Sequence, residues 1–588
     1  MTVMWRRLTL GCALCLAAGS LASQAEVHFR IRSDDSQALN ADGGWEAALD
    51  ANAAMTAQKK FRLRFEIEDV APRSDGFKLQ YSKNGTGWKD AEAYPDDDPD
   101  NAPSTPEVWV VTSAQYDDGS QTTDLLRGSS APFVRGWGKE TPVTGRIGLR
   151  GKHTEVEFTL VVPTFHDGPR QNKTGDTFDF RLVRRDNTAV SGAAANPRIT
   201  LTVPPGLIGG TYVESPNRIG PFKDGNGNLY AIIEPAETDN VFMVIQSADG
   251  GRTWTEQDGA NRPDTDDLES VDAVLAGDEL HIVHHGGKQV VYHAFRVSTH
   301  PANPDTYRLT DELIAGPITY DEQAVALEVL SGGRVRCFYA RTAGGRGRIF
   351  YKTRDNGWGS EQSLDSQPRV DFYGVAAVRG AADKVHVVYY ADDGNIYHRS
   401  LSSAGVLSDR ESLTADGGVR GSERFPLMPP VYWDEAGEEK IMIGYRKASD
   451  GRIYTRIITN DGPPGKESRA SDHAVSNDQA QSCQPTANLA NDGSTVYLHY
   501  ADAATEDIFR DVYTPATGWG SDVEEQDGVE ADLIRGIVFA HSAGNGGAKV
   551  IGYLVDMGSD GYTGTVRYEE YLIPARPAPA IAAGEKPD

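Results

Sequence analysis

Between Val27 and about Val203, apolar and polar residues alternate with a period of two, which predicts strands with chemically distinct faces. The clearest runs are Val27-His28-Phe29-Arg30-Ile31-Arg32, Phe61-Arg62-Leu63-Arg64-Phe65-Glu66-Ile67, Phe77-Lys78-Leu79-Gln80-Tyr81, Glu155-Val156-Glu157-Phe158-Thr159-Leu160-Val161 and Phe178-Asp179-Phe180-Arg181-Leu182. Apolar side chains on one face and charges on the other suit one sheet of a sandwich. Pro204-Pro205-Gly206 breaks the pattern and marks a boundary. Beyond it the chain repeats itself. Each unit holds a strand, a tight polar turn and a second strand, and the first strands begin at Leu229, Leu280, Val335, Val385, Ile441, Val496 and Val550. Turns such as Ala391-Asp392-Asp393-Gly394-Asn395 and Ala448-Ser449-Asp450-Gly451 carry Asp-Gly, which supplies the positive φ of a tight hairpin. Starts spaced 50 to 56 residues apart fit propeller blades, because one four-stranded unit cannot bury both of its faces alone. Seven units predict seven blades. No long stretch has a 3.6-residue period, so the expected fold class is all-β, an N-terminal β-sandwich followed by a seven-bladed β-propeller.

Length and ends sharpen the domain plan. At 588 residues the chain exceeds what one core can serve. Arg6 and Arg7 precede an apolar run from Leu8 to Leu21 that ends in Ser23-Gln24-Ala25, the pattern of a signal peptide cleaved after Ala25. The run is short for a membrane anchor, which needs ~20 apolar residues, and no later segment is a candidate. The expected parts are therefore a signal peptide at 1–25, a sandwich at 26–205, a propeller at 206–573 and a disordered Pro- and Ala-rich tail at 574–588. A secreted or periplasmic location follows, with no membrane partner.

A net charge of −27 and the absence of a basic stripe exclude nucleic acid as a partner. An anionic substrate would need a locally positive pocket. The four cysteines reduce to Cys337 and Cys483 once the leader is gone. Export permits a disulfide between them, but both sit in apolar strand contexts of different repeats and read as buried free thiols. Asp96-Asp97-Asp98-Pro99-Asp100 lacks the Gly and spaced ligands of a calcium loop and reads as a solvated loop. No cofactor is expected, a structural calcium aside, and the chain is expected to be a monomer.

Ser247-Ala248-Asp249-Gly250-Gly251-Arg252-Thr253-Trp254 fits the S-x-D-x-G-x-x-W pattern of the Asp box, with degenerate copies at Thr353-Arg354-Asp355-Asn356-Gly357-Trp358 and Thr517-Gly518-Trp519. On these turns, residues 206–573 resemble the BNR/Asp-box propellers, a group that contains sialidases, polysaccharide lyases and non-enzymes. The resemblance to sialidases implies that Arg218, in Arg218-Ile219-Gly220-Pro221, binds a substrate carboxylate and that Asp239 is a general acid. Gly220 interrupts the family's Arg-Ile-Pro, and Glu234-Pro235-Ala236 stands where a second arginine belongs. Tyr568-Glu569-Glu570-Tyr571 is the matching late candidate, or an edge strand. The resemblance to seven-bladed lyases, such as ulvan lyases, implies a His, Tyr and Arg site, although their His pair is missing around Tyr320-Asp321-Glu322-Gln323.

Glu234 apart, the strand ends carry Tyr, His and Arg: His284, His285, Tyr339, Arg341, Tyr389, Tyr390, Tyr445, Arg446, His499, Tyr500 and Tyr553. That composition suits β-elimination on a uronate, in which Arg neutralises the carboxylate and Tyr or His moves protons. Hydrolysis would need two facing carboxylates. Candidate catalytic residues are His284, His285, Tyr339, Tyr390 and Tyr445, with Arg218, Arg341, Arg446, Tyr500 and Arg535 as substrate-binding residues. The expected function is a secreted carbohydrate-active protein cleaving an acidic, uronate-containing polysaccharide by β-elimination. A sialidase-type exo-glycosidase and a non-catalytic glycan-binding propeller are the alternatives. Near-identical strand ends in every blade would favour binding; the unequal ends here favour one asymmetric site.

Overall fold

A computed structural model describes residues 25–572 except 70–73, 95–106, 165–170, 191–195, 211–216, 235–240, 266–267, 299–306, 319–324, 344–345, 366–369, 392, 416, 420–426, 476–485, 490–492, 506, 527–532, 541–548 and 557–565. It is all-β. Among the described residues no helix is long and apolar enough to cross a membrane. Cys483, Asp239, Asp321, Glu322 and the Asp96–Asp100 run lie outside the described residues.

The N-terminal part is a sandwich of two sheets. One has Phe61–Asp69 at its centre, between Ala25–Ser33 and Lys152–Val161 and antiparallel to both. The other runs Ala53–Thr56, Arg198–Thr202, Thr177–Arg184, Phe77–Lys83 and Lys89–Asp90. Leu63, Phe65 and Phe158 of the first sheet meet Leu79, Tyr81, Phe178 and Phe180 of the second in one apolar core, as period-two patterning requires.

The opposite face of the first sheet is charged and yet covered. Arg32, Arg62, Arg64, Glu66, Glu155 and Glu157 are all buried. The Arg32 guanidinium meets Glu157 at 2.5 Å and the carbonyl of Leu39 at 2.7 Å. Arg64 reaches Glu155 and, at 2.8 Å, Glu157, while also donating to the carbonyl of Thr123. Loop segments around residues 38–41 and 123–126 therefore cover this face. The charges tolerate burial because they are paired and hydrogen-bonded.

Among the described residues after Gly206, seven sheets follow one another, the first six with four strands in sequence order and the sixth with an added fifth. The first strands of successive sheets, for example Leu268–Ala276, Val325–Val329 and Val370–Arg379, lie side by side and form the inner layer. This is a propeller arrangement. The strands that carry the repeat in the sequence, such as Val335–Ala343 and Val385–Ala391, are the second strands of their sheets. The preceding strand of each sheet, which belongs to the inner layer, therefore lies inside them. At the domain's start, Gly206–Ile208 runs along the last strand, Val566–Leu572: the Tyr568 N–H donates to the Gly206 carbonyl at 2.8 Å and the Ile208 N–H to the Val566 carbonyl at 3.0 Å.

The turn at Ser247–Trp254 is held by its own side chains. The Gly251 N–H donates to Ser247 Oγ at 2.7 Å, and Thr253 donates to Asp249 from both its N–H and its hydroxyl. Trp254 Nε1 donates to the Gly251 carbonyl at 3.0 Å, and its ring packs 5.7 Å from Tyr568 of the last sheet. Cys337 is buried as a free thiol.

Candidate functional site

Arg218 lies where the inner strands meet. It donates to Asp272 at 2.6 and 2.8 Å and to Glu328 at 2.7 Å, on the first strands of the second and third sheets. Its neighbour Asn217 donates to the carbonyls of Val325 and Val375, on the first strands of the third and fourth. Burial acts against the Arg218 charge, but the two carboxylates outweigh it and raise the pKa. The guanidinium is thus committed to acids of the protein itself, across three sheets.

His284 and His285 point to opposite faces of Glu279–Gly286, and both are buried. His284 stacks on His293 at 5.0 Å, with 3.0 Å between ring nitrogens, and meets the edge of Phe242. Burial, with His293 and His285 nearby, drives its pKa well below the usual imidazole value, so it is neutral. Tyr390 is buried among Val388, Ile396 and Leu427. Arg446 donates to the carbonyl of Val475 at 3.2 Å. Arg535 sits on Leu533–Ala540, and its side chain lies outside the described residues.

The remaining candidates reveal a recurring unit in the third, fifth and sixth sheets, with a variant in the fourth whose acid comes from the third sheet. Tyr339 donates to Glu361 at 2.8 Å, Tyr445 to Glu467 at 2.6 Å, Tyr500 to Asp522 and Tyr389 to Asp365. Burial first, and then these carboxylates, raise the pKa of each tyrosine, so the proton stays on the phenol. Three of the tyrosines stack on a third-strand ring: Tyr339 on Phe350 at 6.5 Å, Tyr389 on Tyr397 at 5.9 Å and Tyr500 on Phe509 at 5.9 Å. Tyr445 stands opposite Tyr454 in the strand register.

A cationic or imidazole group then caps each third-strand ring. Arg341 lies 4.5 Å over Phe350, Arg410 4.6 Å over Tyr397 and Lys447 4.3 Å over Tyr454, while His473 stacks 4.2 Å from Phe509. Arg341 also binds Glu361, and Lys447 binds Glu467. The bond from Arg341 comes first in holding Glu361 below the usual carboxylate range, against burial. In these two pairs roughly a quarter to a third of each side chain faces solvent. A half-open cation–carboxylate pair on an aromatic floor can give and accept hydrogen bonds at once, which is what vicinal hydroxyls require.

Of the candidates read from the sequence, Tyr339 and Arg341 therefore come together at Glu361. His284, Tyr390, Arg218, Tyr445 and Tyr500 each belong to a separate partner set. Glu361, Glu467, Asp522, Lys447, Arg410 and His473 escaped the sequence reading. A signal was present: an acid stands 22 residues after Tyr339, Tyr445 and Tyr500, twice as Trp-Gly-Ser-acid, in Trp358–Glu361 and Trp519–Asp522.

No protein-family profile matches this chain, and neither does any curated protein. Among solved structures it is similar to a fucose-specific lectin from Aleuria aurantia, at 12% identity over 54% of this chain and 97% of the lectin, with a TM-score of 0.35. It is similar to the polysaccharide lyase Uly1, at 8% identity over 63% of this chain and 97% of the lyase, with a TM-score of 0.36. A subtype N10 neuraminidase-like protein (little yellow-shouldered bat) is 10% identical over 52% of this chain and 93% of its own, with a TM-score of 0.32.

Proposed function

We propose that the protein is an exported glycan-binding β-propeller of the Asp-box kind, with separate sugar sites on its third to sixth sheets. The observation that carries this reading is the recurrence of a tyrosine held by a carboxylate beside a capped third-strand ring, three times with the acid from the same sheet and once, at Tyr389, with the acid from the preceding sheet. An enzyme concentrates its special residues at one place; here the special residues repeat. Each carboxylate accepts from sugar hydroxyls, and the adjacent Arg or Lys donates to them. β-Elimination needs a base able to take a proton from the substrate, and the candidates suit that role poorly. His284 is buried between His293 and Phe242, and the tyrosines are fixed as donors with raised pKa values.

The test is calorimetric titration of the mature protein with neutral and acidic oligosaccharides chosen by a glycan array. More than one equivalent sugar site per chain is expected. Arg341→Ala and Glu361→Gln should each weaken the third-sheet site about 10- to 100-fold, the loss of a charged hydrogen bond, and reduce the stoichiometry by about one. Unsaturated uronate ends appearing in the wild type and vanishing in His284→Ala would overturn the reading in favour of a lyase. Release of sialic acid from a conjugate would overturn it in favour of a hydrolase.

A further inference from the structure

The buried charged face of the N-terminal sheet contains an electrostatic gap. Arg32, Arg62 and Arg64 are matched there by Asp34, Glu155 and Glu157. Two residues beyond Arg64 on the same strand face, the arginines stop. Glu66 is buried at that point, and the ionisable groups around it are His153, His28 and Asp124. Its Oε2 accepts the Gly128 N–H at 2.8 Å. His28 stands opposite Glu66 on the neighbouring strand, with its Nδ1 2.5 Å from Asp50.

Three residues converge in the gap. One ligand atom each of Glu66, Asp124 and His153 lies within 4.8 Å of the other two. Glu66 Oε1, Asp124 Oδ1 and His153 Nε2 are each sealed from solvent and have no hydrogen-bond partner. Orphaned buried atoms of this kind call for an explanation. The tautomer of His153 is set by the carbonyl of Ala131, 2.6 Å from Nδ1: the ring donates there and turns the Nε2 lone pair toward Asp124, 3.4 Å away. An imidazole held by a carbonyl on its far nitrogen is the usual support of a metal ligand.

We propose that Glu66, Asp124 and His153 bind a divalent transition metal of the zinc class. Bonds of ~2.0–2.2 Å in a tetrahedron put ligands roughly 3.3–3.6 Å apart, and the His153–Asp124 separation is already there. Calcium and magnesium prefer larger all-oxygen shells, whereas one imidazole and two carboxylates suit zinc. The Asp124 side chain as a whole is 38% exposed, although its Oδ1 is sealed. The ion neutralises Glu66 and staples the loop carrying Asp124, Gly128 and Ala131 to the sheet. A second cluster shows the contrast. His386, Glu439 and Asp461 also converge, but there Lys384 Nζ sits 2.9 Å from Glu439 and 2.5 Å from Asp461 and supplies the positive charge itself.

The experiment uses the mature full-length chain, stripped with a chelator and titrated separately with Zn2+, Co2+ and Ca2+. Expected are one bound Zn2+ per chain by elemental analysis, visible d–d bands for Co2+ without thiolate charge transfer, and a rise in thermal midpoint on adding Zn2+. Asp124→Asn, on a half-exposed loop, should fold normally by circular dichroism and bind Zn2+ at least tenfold more weakly. Glu439→Gln should bind as the wild type does. The proposal is overturned if the wild type takes up no Zn2+ and gives no Co2+ spectrum. Zn2+ uptake unchanged in both Asp124→Asn and His153→Gln, or a preference for Ca2+, would overturn it equally.

Discussion

Single residues show how burial sets chemistry. Asp258 is buried beside Glu256, and these two effects push its pKa up to about 7. It accepts the Val244 N–H at 3.0 Å and the Tyr307 hydroxyl at 2.9 Å, both on Oδ2. A raised carboxyl pKa means that folding favours the protonated form. The penalty is absent below the ordinary value of 3.8, grows as pH rises, and is complete above about 7. Asp258→Asn keeps an acceptor for both bonds and removes the charge. It should therefore stabilise the protein by roughly 2–4 kcal/mol at pH 8 and by little near pH 4. Denaturant unfolding at the two pH values measures the difference, and equal effects at both would refute the assignment. The same principle governs the strand ends: whether a Tyr or His can move a proton depends on what stands beside it, which its position in a strand does not disclose.

At the scale of elements, the buried charged face of the first sandwich sheet is the main departure from a simple pattern. Alternation along Phe61–Asp69 identified both faces correctly, yet period two does not say whether the polar face is wet. Loops from distant parts of the chain decide that. Glu157 is the hub, touching Arg32, Arg62 and Arg64. Glu157→Gln leaves three buried cations sharing fewer acids and should cost about 3–5 kcal/mol. Scanning calorimetry should show this as a lowered transition for the N-terminal part, with the propeller transition unmoved. The recurring tyrosine units were half legible. The Tyr and Arg positions stood out at strand ends, but the acids of Tyr339, Tyr445 and Tyr500 lie two strands away and that of Tyr389 on the preceding sheet, joined only when the sheets fold.

At the scale of the whole molecule, the joint between the first and last propeller sheets rests on a close approach. Gly251 has φ +91°, and a Cβ there would stand 1.9 Å from the Tyr568 ring. Gly405 has a similar φ of +85° but open space around it. Gly405→Ala should cost ~1 kcal/mol from backbone strain alone. Gly251→Ala adds a clash at the joint and should cost about 3 kcal/mol or more. Thermal unfolding of the two variants compares the effects, and equal losses would mean that the joint contributes nothing. Limited proteolysis near residue 206 should accelerate only in Gly251→Ala.

The chain's own pattern determined the all-β class, the repeated units and the self-contained turn at Ser247–Trp254. Each of these depends on neighbours within a few residues or on periodicity, which a linear string records directly. Tertiary structure alone decided that the repeat strands are second in their sheets, that Arg218 is consumed by Asp272 and Glu328, and that Glu66, Asp124 and His153 converge. Those facts join residues 54 to 110 positions apart in one case and 29 to 87 in the other. Such contacts arise from sheet stacking and loop cover, which set burial and hence charge state, and no local pattern encodes them.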